Sequence, residues 1–213
     1  MDYPLITPDT EFDAVVLAAG DFPTHSLPLA ILAKATYLCC CDGAAAECID
    51  RGYTPDAIIG DGDSLSPDLK QQYADIFHEV HEQDDNDLSK ATRHCMRLGM
   101  RHIAYLGATG KREDHALGNI SLMVRYLKNM AIQPTMITDH GLFTPAYKDS
   151  TFESWPGQQI SIFNFGCSQI KSKGLKWQSY AYEQWWQGTL NESLGEKIEF
   201  HANAYYMVFR DFK

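Results

Sequence analysis

Apolar residues fall into two rhythms along this chain. Short unbroken runs at Ala14-Val15-Val16-Leu17-Ala18-Ala19 (stopped by Gly20), Tyr37-Leu38-Cys39-Cys40-Cys41, Ala57-Ile58-Ile59, Ile103-Ala104-Tyr105-Leu106 and Thr135-Met136-Ile137 read as strands. Between and after them, apolar positions return at helical spacing: Leu88, Ala91, Cys95 and Leu98 follow the third run, and Leu117, Ile120, Val124 and Leu127 follow the fourth. Strands that are apolar at every position are buried on both faces. Residues 1–138 are therefore predicted to form an α/β unit, a mostly parallel sheet flanked by helices. From about residue 140 the rhythm becomes alternation. Gly141, Pro145, Pro156 and Gly157 bracket segments such as Gln159-Ile160-Ser161-Ile162-Phe163, and Ile198, Phe200, Tyr205, Met207 and Phe209 continue the strand-like character. Residues 139–213 are thus predicted to form a C-terminal antiparallel β-sandwich domain, packed on the first unit because no long linker separates them.

Composition narrows the function. The 213 residues are 45% hydrophobic and 22% charged, an ordinary globular balance. Eighteen Lys+Arg against twenty-eight Asp+Glu give a net charge of -10, which argues against a broad nucleic-acid-binding surface. No apolar stretch approaches the ~18 residues of a membrane span, and Asp2, Asp9 and Glu11 sit where a signal peptide needs a basic start and an apolar run. The expectation is a cytoplasmic protein without a membrane partner. Cys39, Cys40 and Cys41 are consecutive and Cys48, Cys95 and Cys167 form no CxxC pair, so reduced thiols are expected rather than disulfides or structural zinc.

In an open parallel sheet, ligands collect at the carboxyl ends of strands, and here those ends are rich in aspartate. The second run ends in Asp42-Gly43-Ala44-Ala45 and the third in Gly60-Asp61-Gly62-Asp63-Ser64, while Gln83-Asp84-Asp85-Asn86-Asp87 opens the next helix. Asp61 and Asp63, two apart at a strand end, can point to one side. With Asp84 or Asp87 they supply the hard oxygens that suit Mg²⁺ held jointly by carboxylates and substrate phosphates. One aspartate at an element end is more often a turn or cap residue, but three clusters at successive strand ends favour chemistry. The fourth run ends in Gly107-Ala108-Thr109-Gly110-Lys111-Arg112-Glu113-Asp114-His115, a loop able to offer N–H groups and the Arg112 fork to phosphate. Asp114 is placed to cap the following helix. His115 acquires a chemical reading only by sharing this loop. Neither a Walker A loop nor a GxGxxG turn is present. In the β region Trp177, Trp185 and Trp186 could stack on a flat cationic ligand, although core packing is the commoner fate of a Trp there.

Taken in order, these pieces resemble the thiamine pyrophosphokinase family over nearly the whole chain. The resemblance rests on Asp42-Gly43-Ala44-Ala45, Gly60 to Ser64, Asp84 to Asp87, Gly107 to His115 with the later Asn119, Gly174-Leu175-Lys176-Trp177, and Leu190-Asn191. Against the family pattern, Ala44 replaces a glycine, Gly62 an aromatic, Asn86 a threonine and Leu190 a serine that usually contacts thiamine. The resemblance implies transfer of the pyrophosphoryl group of ATP to the thiamine hydroxyl in a homodimer whose sites are shared between subunits. It implies Mg²⁺ on Asp61, Asp63, Asp84 and Asp87, and a catalytic set of Asp61, Asp63, Asp87, Arg112 and Asp114 in which Asp87 or Asp114 is the base. Substrate contacts would come from Asp42, Gly43, Ser64, Asp84, Gly107, Gly110, His115, Asn119, Trp177 and Asn191. Two other readings are a metal-dependent phosphatase, weakened because the first strand lacks a nucleophilic Asp at its end, and a non-catalytic thiamine or nucleotide sensor, weakened by the retained carboxylates.

Overall fold

In a computed structural model, residues 1–82 and 84–212 are described; Gln83, the first residue of the acidic run, lies outside the described residues. In chain order the elements are β1 (Asp2–Tyr3), β2 (Ala14–Leu17), α1 (Ser26–Ala33), β3 (Leu38–Cys41), α2 (Asp42–Asp50), β4 (Ala57–Gly60), α3 (Pro67–Gln72), β5 (Phe77–Glu79), α4 (Asp87–Arg97), β6 (His102–Leu106), α5 (Glu113–Met130) and β7 (Gln133–Ile137). There follow β8 (Gly141–Tyr147), β9 (Ser150–Glu153), β10 (Gln159–Phe165), β11 (Ile170–Lys173), a 3₁₀ turn at Trp185–Gly188, β12 (Asn191–Glu192), β13 (Lys197–Ala202) and β14 (Tyr205–Asp211).

A ten-stranded sheet in the order β12-β10-β14-β8-β7-β6-β2-β3-β4-β5 runs through the molecule, parallel from β7 to β5 and antiparallel from β7 to β12. The expected α/β architecture is present, and its parallel strands are buried on both faces because every residue of β2, β3 and β4 is apolar or glycine. One face packs Val16, Cys39, Ile59 and Tyr105 against Leu88, Ala91 and Cys95 of α4 and Met123 and Tyr126 of α5. The other packs Val15, Leu17, Cys40 and Ile58 against Ile31 and Leu32 of α1 and Ala45 and Cys48 of α2. Each large side chain removed from water contributes roughly 1.5–3 kcal/mol. The Tyr105 and Tyr126 hydroxyls remain satisfied through Thr92 at 2.9 Å and Ser89 at 2.8 Å. A second, four-stranded sheet, β1-β9-β13-β11, closes over β10, β14 and β8 to enclose Ala146, Phe152, Ile162, Phe200 and Tyr206, which gives the sandwich layering.

Several expectations need correction. The first strand ends at Leu17, not Ala19, which frees Ala18 and Ala19 to line a cleft. Leu98 and Leu117, counted in the helical stripes, are exposed. Asp114 does not cap α5: Arg112 holds the N-cap position and Asp114 sits in the first turn. The N-terminal residues, which carry no strand signal, form β1 by pairing in parallel with β9 of the second sheet. The six cysteines are free and buried.

Candidate active site

Neighbours in sequence fan out from β2, with β3, β4 and β5 to one side and β6 and β7 to the other, so the order of the parallel sheet reverses there. A crevice opens outside the carboxyl ends of the strands at such a point. The loops after β2 and β6 are zipped by Ala18 N–H to Leu106 O (2.9 Å), Gly20 N–H to Gly107 O (2.7 Å) and Asp21 N–H to Thr109 O (2.9 Å). A Cβ at Gly20 would collide with the carbonyl oxygens of Gly107 and Thr109, so only glycine permits this approach. The cleft measures about 420 Å³ and is walled by Ala18, Ala19 and Gly20, by Cys41 and Asp61, by Asp85 to Leu88 with Lys90, and by Ala108, Gly110, Lys111, Arg112, His115 and Asn119.

One wall is acidic and firmly held. Asp42 opens α2 directly from β3; its Oδ1 accepts from Gly43 N–H at 2.6 Å and its Oδ2 from Gly62 N–H at 2.9 Å. Burial, and then the nearby carboxylates of Asp87 and Asp61, push the Asp42 carboxyl above its ordinary range despite those two bonds. Asp42 thus pins the turn after β4 while adding to a surplus of negative charge. Gly62 adopts a left-handed φ of +80°, a conformation that favours glycine. Within that turn Asp61 Oδ1 accepts from Asp63 N–H at 3.1 Å. Asp61 faces the cleft, whereas Asp63 and Ser64 are exposed beyond its wall.

The α4 entrance is built by Asn86, the N-cap, whose Oδ1 accepts from Ser89 N–H at 3.0 Å. Its Nδ2 reaches Asn119 Oδ1 at 3.1 Å, and Asn119 Nδ2 donates to Ala108 O at 2.8 Å. The two asparagines therefore tie the acidic loop to the loop after β6. Asp85 is clamped by Arg93 (2.6 Å) and by both Arg125 terminal nitrogens (3.0 and 3.1 Å). Burial opposes its charge, but hydrogen bonds from Arg125, Ser89 and Arg93 prevail and hold the carboxyl below its ordinary range. Asp87 receives Lys90 Nζ at 3.0 Å, with Lys90 only 4% exposed. Asp84 is exposed and lies off the cleft wall.

The opposite lip is basic and open. Lys111, in a left-handed conformation (φ +56°), donates to Ala19 O at 2.9 Å. Arg112 makes a forked contact with Asp114, Nε at 3.1 Å and a terminal nitrogen at 2.6 Å, with both side chains exposed. Each raises the other's charged character: the Asp114 carboxyl is held down by the guanidinium, and Arg112 is pushed up. Gly107 and Asp114 are not on the cleft wall, and Gly43 lies on α2 beside Ser64.

Lys90, Asp85 and Asn86 line the cleft without having been singled out as site residues. A lysine three residues after Asp87 on one helical face was the available signal for Lys90.

A second, shallower recess of about 260 Å³ lies in the β region between Trp177, Tyr180, Tyr182, Gln187 and Asn191. Trp177 is 55% exposed, unlike a core tryptophan, and the Lys176 ammonium sits 5.0 Å from its ring centroid. Asn191 is buried and clamps the Trp177 backbone, accepting from its N–H at 3.1 Å and donating to its carbonyl at 2.7 Å. Leu190, at the serine position, is exposed with φ +62°. Trp185 packs on Phe163 and Phe165, while Trp186 is exposed and donates to Gln184.

Among the described residues no three His, Cys, Asp or Glu side chains are gathered closely enough to hold a metal ion by themselves. Asp61 and Asp87 on one wall, with Asp42 behind them, nevertheless form a hard-oxygen donor set carrying surplus negative charge. That set fits a divalent cation sharing its remaining ligands with phosphates.

Residues 29–133 match the family model described as thiamin pyrophosphokinase, catalytic domain, and residues 141–209 the model described as thiamin pyrophosphokinase, substrate-binding domain. The chain is 39% identical over 84 residues to thiamine pyrophosphokinase 1 of Oryza sativa subsp. japonica, a match covering 35% of this chain and 32% of that protein. It is 28% identical over 166 residues to thiamine pyrophosphokinase 1 of Arabidopsis thaliana, covering 70% of this chain and 61% of the relative. These matches thus span about a third and somewhat under two thirds of the relatives' own lengths. In fold it resembles thiamin pyrophosphokinase from Candida albicans (TM-score 0.79, 16% identity, 100% of this chain and 92% of the other). It also resembles thiamine pyrophosphokinase from Bacillus subtilis (TM-score 0.77, 20% identity, 94% and 99%).

Proposed function

This chain belongs to the thiamin pyrophosphokinase family, and on that premise we propose that it transfers the pyrophosphoryl group of ATP to the hydroxyl of thiamine, giving thiamine diphosphate and AMP. The observation that carries this reading is the cleft at the sheet's reversal point, lined by carboxylates and by a glycine-containing loop with two basic side chains.

ATP lies on residues 1–138, its phosphates between the two walls. Asp61 and Asp87 would hold Mg²⁺, with Asp63 and Asp84 on the adjoining loops as further donors, and the ion would neutralise charge on the transferring phosphates. Arg112 exchanges Asp114 for a phosphate, which its planar fork suits. The thiamine hydroxyl oxygen then bonds to the β-phosphorus, the bridge to the α-phosphate breaks, and AMP departs with the electron pair of that bond. A carboxylate near the hydroxyl, Asp87 or Asp114, takes the hydroxyl proton; little basicity is needed because the transition state is loose. Asp42 and Asn119 act by fixing the turn after β4 and the loop after β6, and Gly43, Ser64, Gly107, Gly110 and His115 line or back the nucleotide's path.

Thiamine, a cationic aromatic, rests on the Trp177 face, with Asn191 holding that segment in place. The same reading includes a homodimer in which a partner subunit completes this recess. Buried, unpaired cysteines suit a reducing compartment such as the cytoplasm. No described helix is long and apolar enough to cross a membrane.

The decisive test is AMP formation from ATP and thiamine, dependent on Mg²⁺ and abolished by chelation. Phosphate release from simple monoesters without ATP would instead favour a phosphatase. Mixing Trp177→Ala chains, impaired at low thiamine, with inactive Asp61→Asn chains under conditions of subunit exchange should raise activity at low thiamine above that of either chain alone if sites are shared. A monomeric active enzyme would refute the shared site.

A further inference from the structure

We propose that Lys90 is a second phosphate-contacting cation of the transfer step, released from Asp87 when ATP and its metal arrive. The inference rests on the cleft being the ATP site and extends it to a residue that the strand-end motifs did not single out.

The argument begins with burial. A lysine is almost never fully buried unless paired, and Lys90, on the first turns of α4, is 4% exposed yet lines the cleft. Among the described residues its ammonium has one hydrogen-bond partner, Asp87 at 3.0 Å, which uses one of three available donors. The other cations of the cleft are differently employed: Lys111 braces Ala19, and Arg112 lies in open solvent on Asp114. A charge at the solvated lip acts through high dielectric, whereas one set in the wall acts through a much lower one. Asp87 engaged with a divalent ion would leave the ammonium without its partner, and the ammonium would then turn to the phosphates of a nucleotide bound in the cleft. It then stabilises charge that develops on them as the bridge to the α-phosphate breaks. No proton moves on or off Lys90 in this account.

The test compares binding of ATP and of adenosine, with Mg²⁺ present, by calorimetry on the full chain. Lys90→Met, which keeps the stem and removes the charge, should weaken ATP about 10- to 100-fold and leave adenosine unchanged. Lys90→Arg should recover most of the difference. If Lys90→Met does not fold, Lys90→Gln, which can still bond Asp87, makes the same comparison. A purely positioning role is tested on an Asp87→Asn background, where adding Lys90→Met should still weaken ATP; no further loss there would overturn the proposal. Equal losses for ATP and adenosine, or none for either, would overturn it too. Wild-type protein that binds ATP without forming AMP would count against the transfer reaction alone, and the Lys90 comparison would still decide its own question.

Discussion

Two ion pairs border the cleft, one with both members on its wall and the other with only its arginine there. On the acidic wall Lys90 and Asp87 meet at 3.0 Å, with the lysine buried; on the lip Arg112 and Asp114 meet at 2.6 Å with side chains 70% and 63% exposed. The shorter contact is the weaker one. An exposed pair is screened by water and salt and contributes little, while a pair with a desolvated member cannot lose one partner without stranding the other. The lip pair can therefore open and re-form at little cost, as a substrate-exchanging contact must, whereas the wall pair opens only when another charge replaces the one withdrawn.

Asp87→Asn should produce the largest effect. It removes a carboxylate from the proposed ion site and leaves the Lys90 ammonium against a neutral amide, so turnover should fall by about three orders of magnitude or more. Thermal unfolding should show a loss of about 1–3 kcal/mol. Asp61→Asn sharpens the contrast, because the amide oxygen can still accept from Asp63 N–H and the turn after β4 keeps that bond. Turnover should collapse similarly with the melting curve nearly unmoved. Unchanged turnover at limiting Mg²⁺ in either variant would remove that residue from the ion site.

On the lip, Arg112→Lys keeps the charge and loses the fork. A fall of about 10-fold in kcat/KM for ATP is expected, with unfolding unaffected because the pair is exposed. Indifferent ATP kinetics would take Arg112 off the phosphates.

This asymmetry also marks how far the sequence could be read. Asp61, Asp87, Gly110, Arg112, His115 and Asn119 sit on the cleft wall because strand-end position follows from the apolar runs, and those runs are legible. The orientation of side chains within a turn is not. Asp61 and Asp63 share a loop, yet the left-handed Gly62 turns one into the cleft and leaves the other outside. Lys90 was missed because burial of a lysine depends on what α4 packs against, which spacing alone does not give. In the fold, α1 was not anticipated: Ser-Leu-Pro-Leu-Ala-Ile-Leu-Ala has almost no polar face to set a period. β1 was not anticipated because its two residues are extended only through pairing with β9, about 150 residues away in sequence.

Trp177→Ala lies far from both ion pairs in sequence and serves as a control for them. Loss of one aromatic face should raise the thiamine KM about 3- to 30-fold and leave the ATP KM unchanged. An equal rise in both would place Trp177 in structural support of the whole molecule. Asn191→Ala should move thiamine KM in the same direction, since Asn191 holds both backbone groups of Trp177.

The smallest effect is also the cleanest test of burial against exposure. Asp85 and Asp114 both have carboxyls held below the ordinary range, Asp85 by hydrogen bonds from Arg125, Ser89 and Arg93 against the opposing effect of burial, and Asp114 by Arg112. For an acid depressed in the folded state, the stabilisation is present above its unfolded value, about 3.9, and is lost as pH falls through its folded value. The Asp85 side chain is only 10% exposed and bridges two arginines, so its loss should be measurable: Asp85→Asn should reduce stability at pH 7 by about 1–2 kcal/mol and flatten the decline below pH 4. Asp114→Asn breaks a pair of equal length that is open to water, and its stability profile should superimpose on the wild type across the same range. If the two profiles changed alike, depth in the structure would not be what separates the acidic wall from the lip, and the reason for assigning the exchangeable role to Arg112 and Asp114 would be gone.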